Sequence, residues 1–286
     1  MNKSQKLVDN IFERGFFYMK SLCIKTNNLQ AIDYLLNSLE NLEIDDTYFS
    51  CKPFKHYTNI IIHYLGNDLD LFYSSISDLL TCLIFDNYEQ EYLKKLSLQN
   101  YFYFDSIEIN KVLEICEKIL CDSDEFSFEN RYNILFDNFY DFISSNNKLY
   151  LNGFLNFRNK KYFQYLIDTI DIAVNKFIIE REYLEFISLL KLYINTHSSS
   201  TGLVRLYYNS SKSTLFDENN NVIDVEDDSF DMKYLSDISF SSNDYILNAL
   251  LTLIPKKIVV HLSDGSIDEF INTLSLIFEN RITICK

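Results

Sequence analysis

Strand-like and helical hydrophobic patterns alternate over the first 66 residues. A short apolar run at residues 22–26 is followed by apolar side chains that recur at helical spacing. Two further strand-like runs, residues 47–51 and 57–64, come next and are separated by a turn. Residues 19–66 are therefore predicted to form a βαββ unit.

Helical periodicity dominates residues 67–197. Asp68 and Asp105 stand where N-caps are expected, and Glu108 completes a capping box with Asp105. The longest periodic segment, residues 157–194, has only a narrow polar stripe. A helix with so little polar surface needs neighbours on most sides, so one long buried helix is predicted at the centre of this region.

Strand patterns return after a polar break at residues 198–201. The elements predicted beyond it are a β-meander at 203–209, 213–216 and 221–225, a short helix at 232–236, and then helix, strand, helix and strand at 244–254, 256–262, 267–278 and 281–285. The chain is thus predicted to have a helix-rich α+β fold. We expect its C-terminal α/β region, residues 198–286, to pack against the helical region.

The composition narrows the possible ligands and compartments. The net charge is −15, and the basic residues form isolated pairs without a stripe, so nucleic acid is disfavoured as a ligand. No apolar stretch approaches the ~20 residues that span a bilayer, and no signal peptide is recognisable. Six cysteines without a CxxC pair suggest free thiols in a reducing compartment. We expect a cytoplasmic protein without membrane association, metal or cofactor.

The start of the chain is a separate question. Met19 is a second candidate initiator, and Glu13, Arg14 and Gly15 can be encoded by a purine-rich run that resembles a ribosome-binding site. Residues 1–18 are therefore expected to be a leader or an extension upstream of the true start.

Motifs for nucleotide binding, metalloprotease and hydrolase chemistry are absent, and the chain has only five glycines. Asp217, Asn219 and Asn221 have the spacing of calcium ligands, but Val222 stands where a calcium loop needs glycine. A hairpin turn is predicted there, because Asn and Asp tolerate left-handed backbone conformations.

The segment that most resembles a site follows a predicted strand. His261 and Asp264 are placed to form an acid–base pair before a helix, the position at which α/β folds bind ligands. The simpler interpretation is an ordinary histidine at a strand end. Ser266 and Glu269 have capping-box spacing, which would satisfy the start of that helix internally.

Arg158 is the other candidate, because aromatic residues flank it at the entrance to the long apolar helix. Such an arginine must either reach water or find a carboxylate. Its structural interpretation is an ion pair that anchors the helix, and its functional interpretation is a docking residue for an acidic partner.

Three blocks carry a resemblance to a known family. They are residues 150–194, with "NGFLNFRNKKYFQYLIDTIDIAVNKF" and "EREYLEFISLLKLYI", then "LIPKKIVVH" at 253–261 and "FENRITIC" at 278–285. In sequence and order these blocks resemble the YtxC-type family of sporulation proteins. The resemblance implies a link to endospore formation and implies no reaction, cofactor or catalytic residue.

Three functions remain open from the sequence. The favoured one is a non-catalytic interaction or assembly factor with an unidentified protein partner. The second is an enzyme, such as a hydrolase, with a site near His261 and Asp264. The third is an accessory protein associated with nucleic acid, which the acidic charge disfavours.

Overall fold

The computed structural model describes residues 19–122, 128–209, 213–223, 241–263 and 265–285. The predicted leader, the helix at 232–236 and Asp264 fall outside these residues. The chain divides into two compact units between Phe177 and Ile178. Each unit contains one β-sheet and several helices, which confirms the helix-rich α+β fold.

The first sheet contains the predicted N-terminal strands. They are β1 (Lys20–Thr26), β2 (Thr47–Pro53) and β3 (Thr58–Tyr64), with helix α1 (Leu29–Glu40) between β1 and β2. A fourth strand, β4 (Lys148–Tyr150), pairs in parallel with β1 and gives the order β2-β3-β1-β4. The sequence analysis missed β4, because a three-residue strand shows no measurable alternation.

The helices of the first unit are α2 (Leu69–Asn87), α3 (Glu89–Asn100), α4 (Ser106–Asp122), α5 (Phe128–Ser145) and α6 (Leu151–Arg158). The predicted caps are confirmed. The Asp68 carboxylate accepts a hydrogen bond from the Leu71 amide at 2.9 Å. Asp105 accepts from the Glu108 amide, and the Glu108 side chain accepts from the Asp105 amide, as in a capping box.

The predicted long helix, α7 (Lys160–Thr196), begins after a break at Asn159. The buried side chain of Asn159 donates to the Phe154 carbonyl at 3.3 Å, and its Oδ1 accepts from the side-chain Nδ2 of Asn138 at 3.1 Å. These bonds end α6 and separate it from α7. The prediction of one buried helix holds for the first half of α7 only, since many apolar side chains beyond residue 178 are exposed.

The second unit has a five-stranded sheet of order β7-β6-β5-β8-β9. Its elements are β5 (Leu203–Tyr208), β6 (Thr214–Phe216), β7 (Val222–Ile223), α8 (Ser242–Leu253), β8 (Lys257–Leu262), α9 (Glu269–Phe278), a 3₁₀ turn (Glu279–Arg281) and β9 (Ile282–Cys285). The meander and the subsequent helix–strand–helix–strand order agree with the prediction.

One face of this sheet is covered by helices. The parallel crossovers from β5 to β8 and from β8 to β9 run in the same direction, which places α8 and α9 on one face. Ile187 and Ile194 of α7 belong to the same core. Residues 178–196 therefore pack with the second sheet, so the structural division lies earlier than the polar break at residue 198.

The predicted turn at Asp217 is confirmed, whereas the predicted N-cap of α9 is not. The hairpin turn is found at Asp217, whose carboxylate accepts from the amides of Asn219 and Asn221. These bonds, with one from the Asn221 side chain as the largest influence, lower the pKa of Asp217. The predicted Ser266 cap of α9 is wrong: the cap is Asp268, which accepts from the Ile271 amide at 3.0 Å.

Candidate functional site

Arg158 lies at the C-terminal end of α6 and is exposed. Its guanidinium carbon lies 5.5 Å from the centre of the Phe142 ring, a cation–π contact. Among the described residues it has no carboxylate partner, so the predicted anchoring ion pair is not found. The reason is the break at Asn159, which ends the helix and lets the Arg158 side chain reach water.

The buried ion pair of the first unit involves a different arginine. Arg131 on α5 is buried, and its Nε lies 3.3 Å from the Glu89 carboxylate at the start of α3. The hydroxyl of Tyr162 on α7 donates to the same carboxylate at 2.8 Å. Three helices thus meet at one buried carboxylate, which makes this cluster structural.

Burial raises the pKa of the Glu89 carboxyl, while the charge of Arg131 and the Tyr162 hydrogen bond oppose the shift. Burial beside Glu89 also raises the pKa of Tyr162 well above its ordinary value. A sequence signal for the cluster existed. Arg131 has helical spacing with Leu135, Phe139 and Ile143, the buried face of α5.

His261 lies on β8, on the sheet face opposite the helices. Its ring stacks on Tyr207 of the neighbouring strand β5, with centroids 4.6 Å apart and planes 14° apart. Tyr207 in turn meets Phe216 edge to face at 5.3 Å. His261, Tyr207 and Phe216 thus form a row of aromatic rings, and these ring contacts explain the position of the His261 side chain. Asp264 lies outside the described residues, so the proposed acid–base pair has no observed geometry.

A groove of about 540 Å³ opens in the first unit, at a place that the sequence did not indicate. It is lined by residues of α1, α2, α5 and the segment after α1, with Asp78, Cys82 and Phe136 among them. The Cys82 thiol lies 3.7 Å from the Asp78 carboxylate. Burial, and then the Asp78 charge, raise the pKa of Cys82 to about 11, so this thiol stays protonated and is a poor nucleophile at neutral pH.

An apolar surface lies on the second half of α7. We define the α7 patch as five side chains that are 41–68% exposed: Ile179, Phe186, Leu189, Leu192 and Tyr193. Phe186, Leu189 and Tyr193 follow one another at intervals of three and four residues, so they share one helix face. Leu192 borders this face, and Ile179 lies two turns before Phe186.

Contacts on the other side of α7 fix the orientation of the patch. Ile187 and Ile194 are buried in the core of the second unit. The Lys191 ammonium lies 2.7 Å from the Glu279 carboxylate, and the Tyr183 hydroxyl lies 2.8 Å from the Thr273 hydroxyl. Because these contacts hold the inner face of α7, the patch is exposed on a fixed helix.

Carboxylates accompany the N-terminal part of the patch. Glu182 stands between Ile179 and Phe186 on the same face, and Glu185 is exposed at the border of that face. The Arg181 Nε lies 3.8 Å from the Glu185 carboxylate, whose side chain is 69% exposed, and the long distance and the exposure of Glu185 make this ion pair weak. Glu182 forms no ion pair within the part of the chain that the structure describes. The patch therefore combines an apolar end with an acidic end.

Within the described ranges, no helix is both long enough and apolar enough to cross a membrane.

Comparisons with known proteins identify a family for this chain. No solved structure was found to match the chain. A relative from Bacillus subtilis (strain 168), described as an uncharacterized protein YtxC, is 22% identical over 200 residues, which cover 68% of this chain and 70% of the relative. The sequence matches the YtxC-like family over residues 74–283, a range that includes most of the first unit's helices, the first two resembling blocks and most of the third. The chain belongs to the YtxC-like family.

Proposed function

We propose that this protein is a non-catalytic interaction or assembly factor that binds a partner protein through the α7 patch. The patch itself carries the proposal. Contiguous exposed apolar surface on a fixed helix is typical of protein interaction sites, and aromatic residues such as Phe186 and Tyr193 are enriched at interfaces.

The cellular setting is part of the same proposal. The resemblance to YtxC-type sporulation proteins supports a role in endospore formation, with the cytoplasm as its location. We expect the partner to be present when spores form.

The catalytic alternative has less support. The His261 ring is engaged with Tyr207, and the raised pKa of Cys82 keeps its thiol protonated. Nucleic acid is a poor ligand for the patch, because Glu182 and Glu185 repel phosphate groups. A protein surface satisfies both the apolar end and the acidic end of the patch.

The proposal is tested by the double substitution Phe186→Gln and Leu189→Gln in a spore-forming host that carries this chain as its only family member. Losing two central apolar contacts is expected to weaken partner binding at least about tenfold. The count of heat-resistant spores should fall accordingly. The melting temperature of the purified protein should change by no more than about 2 °C, because both side chains are exposed.

The matched control is the double substitution Leu29→Gln and Leu98→Gln, at apolar side chains of the first unit that are 75% and 47% exposed. It removes a similar amount of exposed apolar surface elsewhere and should leave spore counts unchanged. Normal spore counts in the double variant of the patch, or equal defects in both variants, would contradict docking through the patch.

A further inference from the structure

We propose that the segment bound by the α7 patch is an amphipathic helix with lysine or arginine beside its apolar stripe. This inference rests on the proposed function and adds the chemistry of the partner. It follows from the backbone of α7, the charges of the patch and the size of its exposed surface.

The backbone of α7 favours a helical partner. The amides and carbonyls within an α-helix bond to each other, so the patch offers no free edge for an added strand. An extended segment lying on it would leave its own backbone groups unpaired against an apolar surface, whereas a helix satisfies them internally. Ile179 and Tyr193 are about 21 Å apart along the axis at about 1.5 Å per residue, which a helix of about four turns can follow.

The charges favour a basic partner. The exposed carboxylates Glu182 and Glu185 accompany the N-terminal part of the patch, and Arg181, the adjacent base, already lies within 3.8 Å of Glu185. A helix that covers Phe186, Leu189 and Tyr193 must also face Glu182. Lysine or arginine at the position of the partner helix that faces Glu182 gives charge complementarity, whereas an acidic residue at that position would repel Glu182.

The same observations argue against a second copy of this chain as the occupant. Five large side chains, each about half exposed, present on the order of 500 Å² of surface. A standard stable interface buries about 800 Å² on each partner. Self-association would also bring acidic borders together in a chain with a net charge of −15.

Two fluorescein-labelled helical peptides test the inference against the full-length protein by fluorescence anisotropy. Both are 20-residue peptides with the same apolar stripe, and they carry either lysine or glutamate at the bordering positions. We expect the lysine peptide to bind about tenfold more tightly at low salt, with a smaller ratio at high salt. Phe186→Gln should weaken the binding of both peptides at least about threefold, since it removes a shared apolar contact.

A matched pair of charge reversals separates the local effect from the overall negative charge. Glu182→Lys should reduce the lysine peptide's advantage several-fold, because the new charge lies within the patch. Glu40→Lys makes the same change in net charge at an exposed position on α1 and should leave the advantage nearly unchanged.

Equal binding of the two peptides, or equal effects of the two reversals, would overturn the inference about the partner. If the spore defect of the double variant of the patch is nevertheless observed, docking through the patch stands and only the basic helix is wrong. Absence of the spore defect would instead remove the proposed function on which this inference rests.

Discussion

Replacing Arg131 with leucine is expected to lower the free energy of unfolding by about 3–5 kcal/mol, the typical result of removing one partner of a buried ion pair. The substitution leaves the buried Glu89 carboxylate with only the Tyr162 hydroxyl as its partner in this cluster. Glu89 must then stay charged in an apolar setting or take up a proton. Urea denaturation of the purified protein measures the loss.

The pH dependence gives this prediction a second readout. Burial already raises the pKa of Glu89, and removing Arg131 removes an opposing charge, so the pKa rises further in the variant. The folded variant then holds a proton that its unfolded chain releases above about pH 4.5. Stability of the variant should therefore fall as pH rises, and its deficit should be larger at pH 8 than at pH 5.

Arg158→Leu is the matched control, because it removes the same side chain from the surface. It should change the free energy of unfolding by less than about 1 kcal/mol. A comparable loss in both variants would show that the Glu89–Arg131 contact does not account for the difference between the two arginines.

Two neighbouring positions on α7 should respond in opposite ways to alanine. Ile194→Ala is expected to cost about 2–5 kcal/mol, because it opens a cavity in the core of the second unit. Leu192→Ala removes an exposed side chain and should cost no more than about 0.5 kcal/mol. Thermal and urea unfolding measure both changes, and equal losses would mean that Leu192 does not lie on an exposed face.

Much of the fold was predictable from local patterns. The strand–helix–strand–strand order at the N-terminus, the caps at Asp68 and Asp105 and the Asp217 turn follow from residue preferences over a few positions. What was missed depends on contacts between distant residues. Strand β4 exists because Leu149 pairs with Ile24 in the first sheet, and the break at Asn159 is held partly by Asn138.

The candidate site was harder to predict, because periodicity counts apolar positions without showing what covers them. The pattern correctly predicted a long helix with little polar surface, but the inference that its own chain buries most of that helix was wrong for residues 178–196. The same pattern fits a helix that leaves one face for a partner. Flanking aromatic residues made Arg158 the predicted member of an anchoring ion pair. The arginine that is buried on a helix face is Arg131.

Site-specific photo-cross-linking in sporulating cells tests the central claim most directly. A photoreactive amino acid at position 192, where the leucine is 60% exposed, lies at the border of the α7 patch. One at position 29, where the leucine is 75% exposed, reports on an accessible surface of the first unit. The prediction is one discrete cross-linked product from position 192 that is lost when Phe186 is replaced by glutamine, with no such product from position 29. The same products from both positions, or a product at position 192 that persists with Phe186→Gln, would contradict a docking surface on α7.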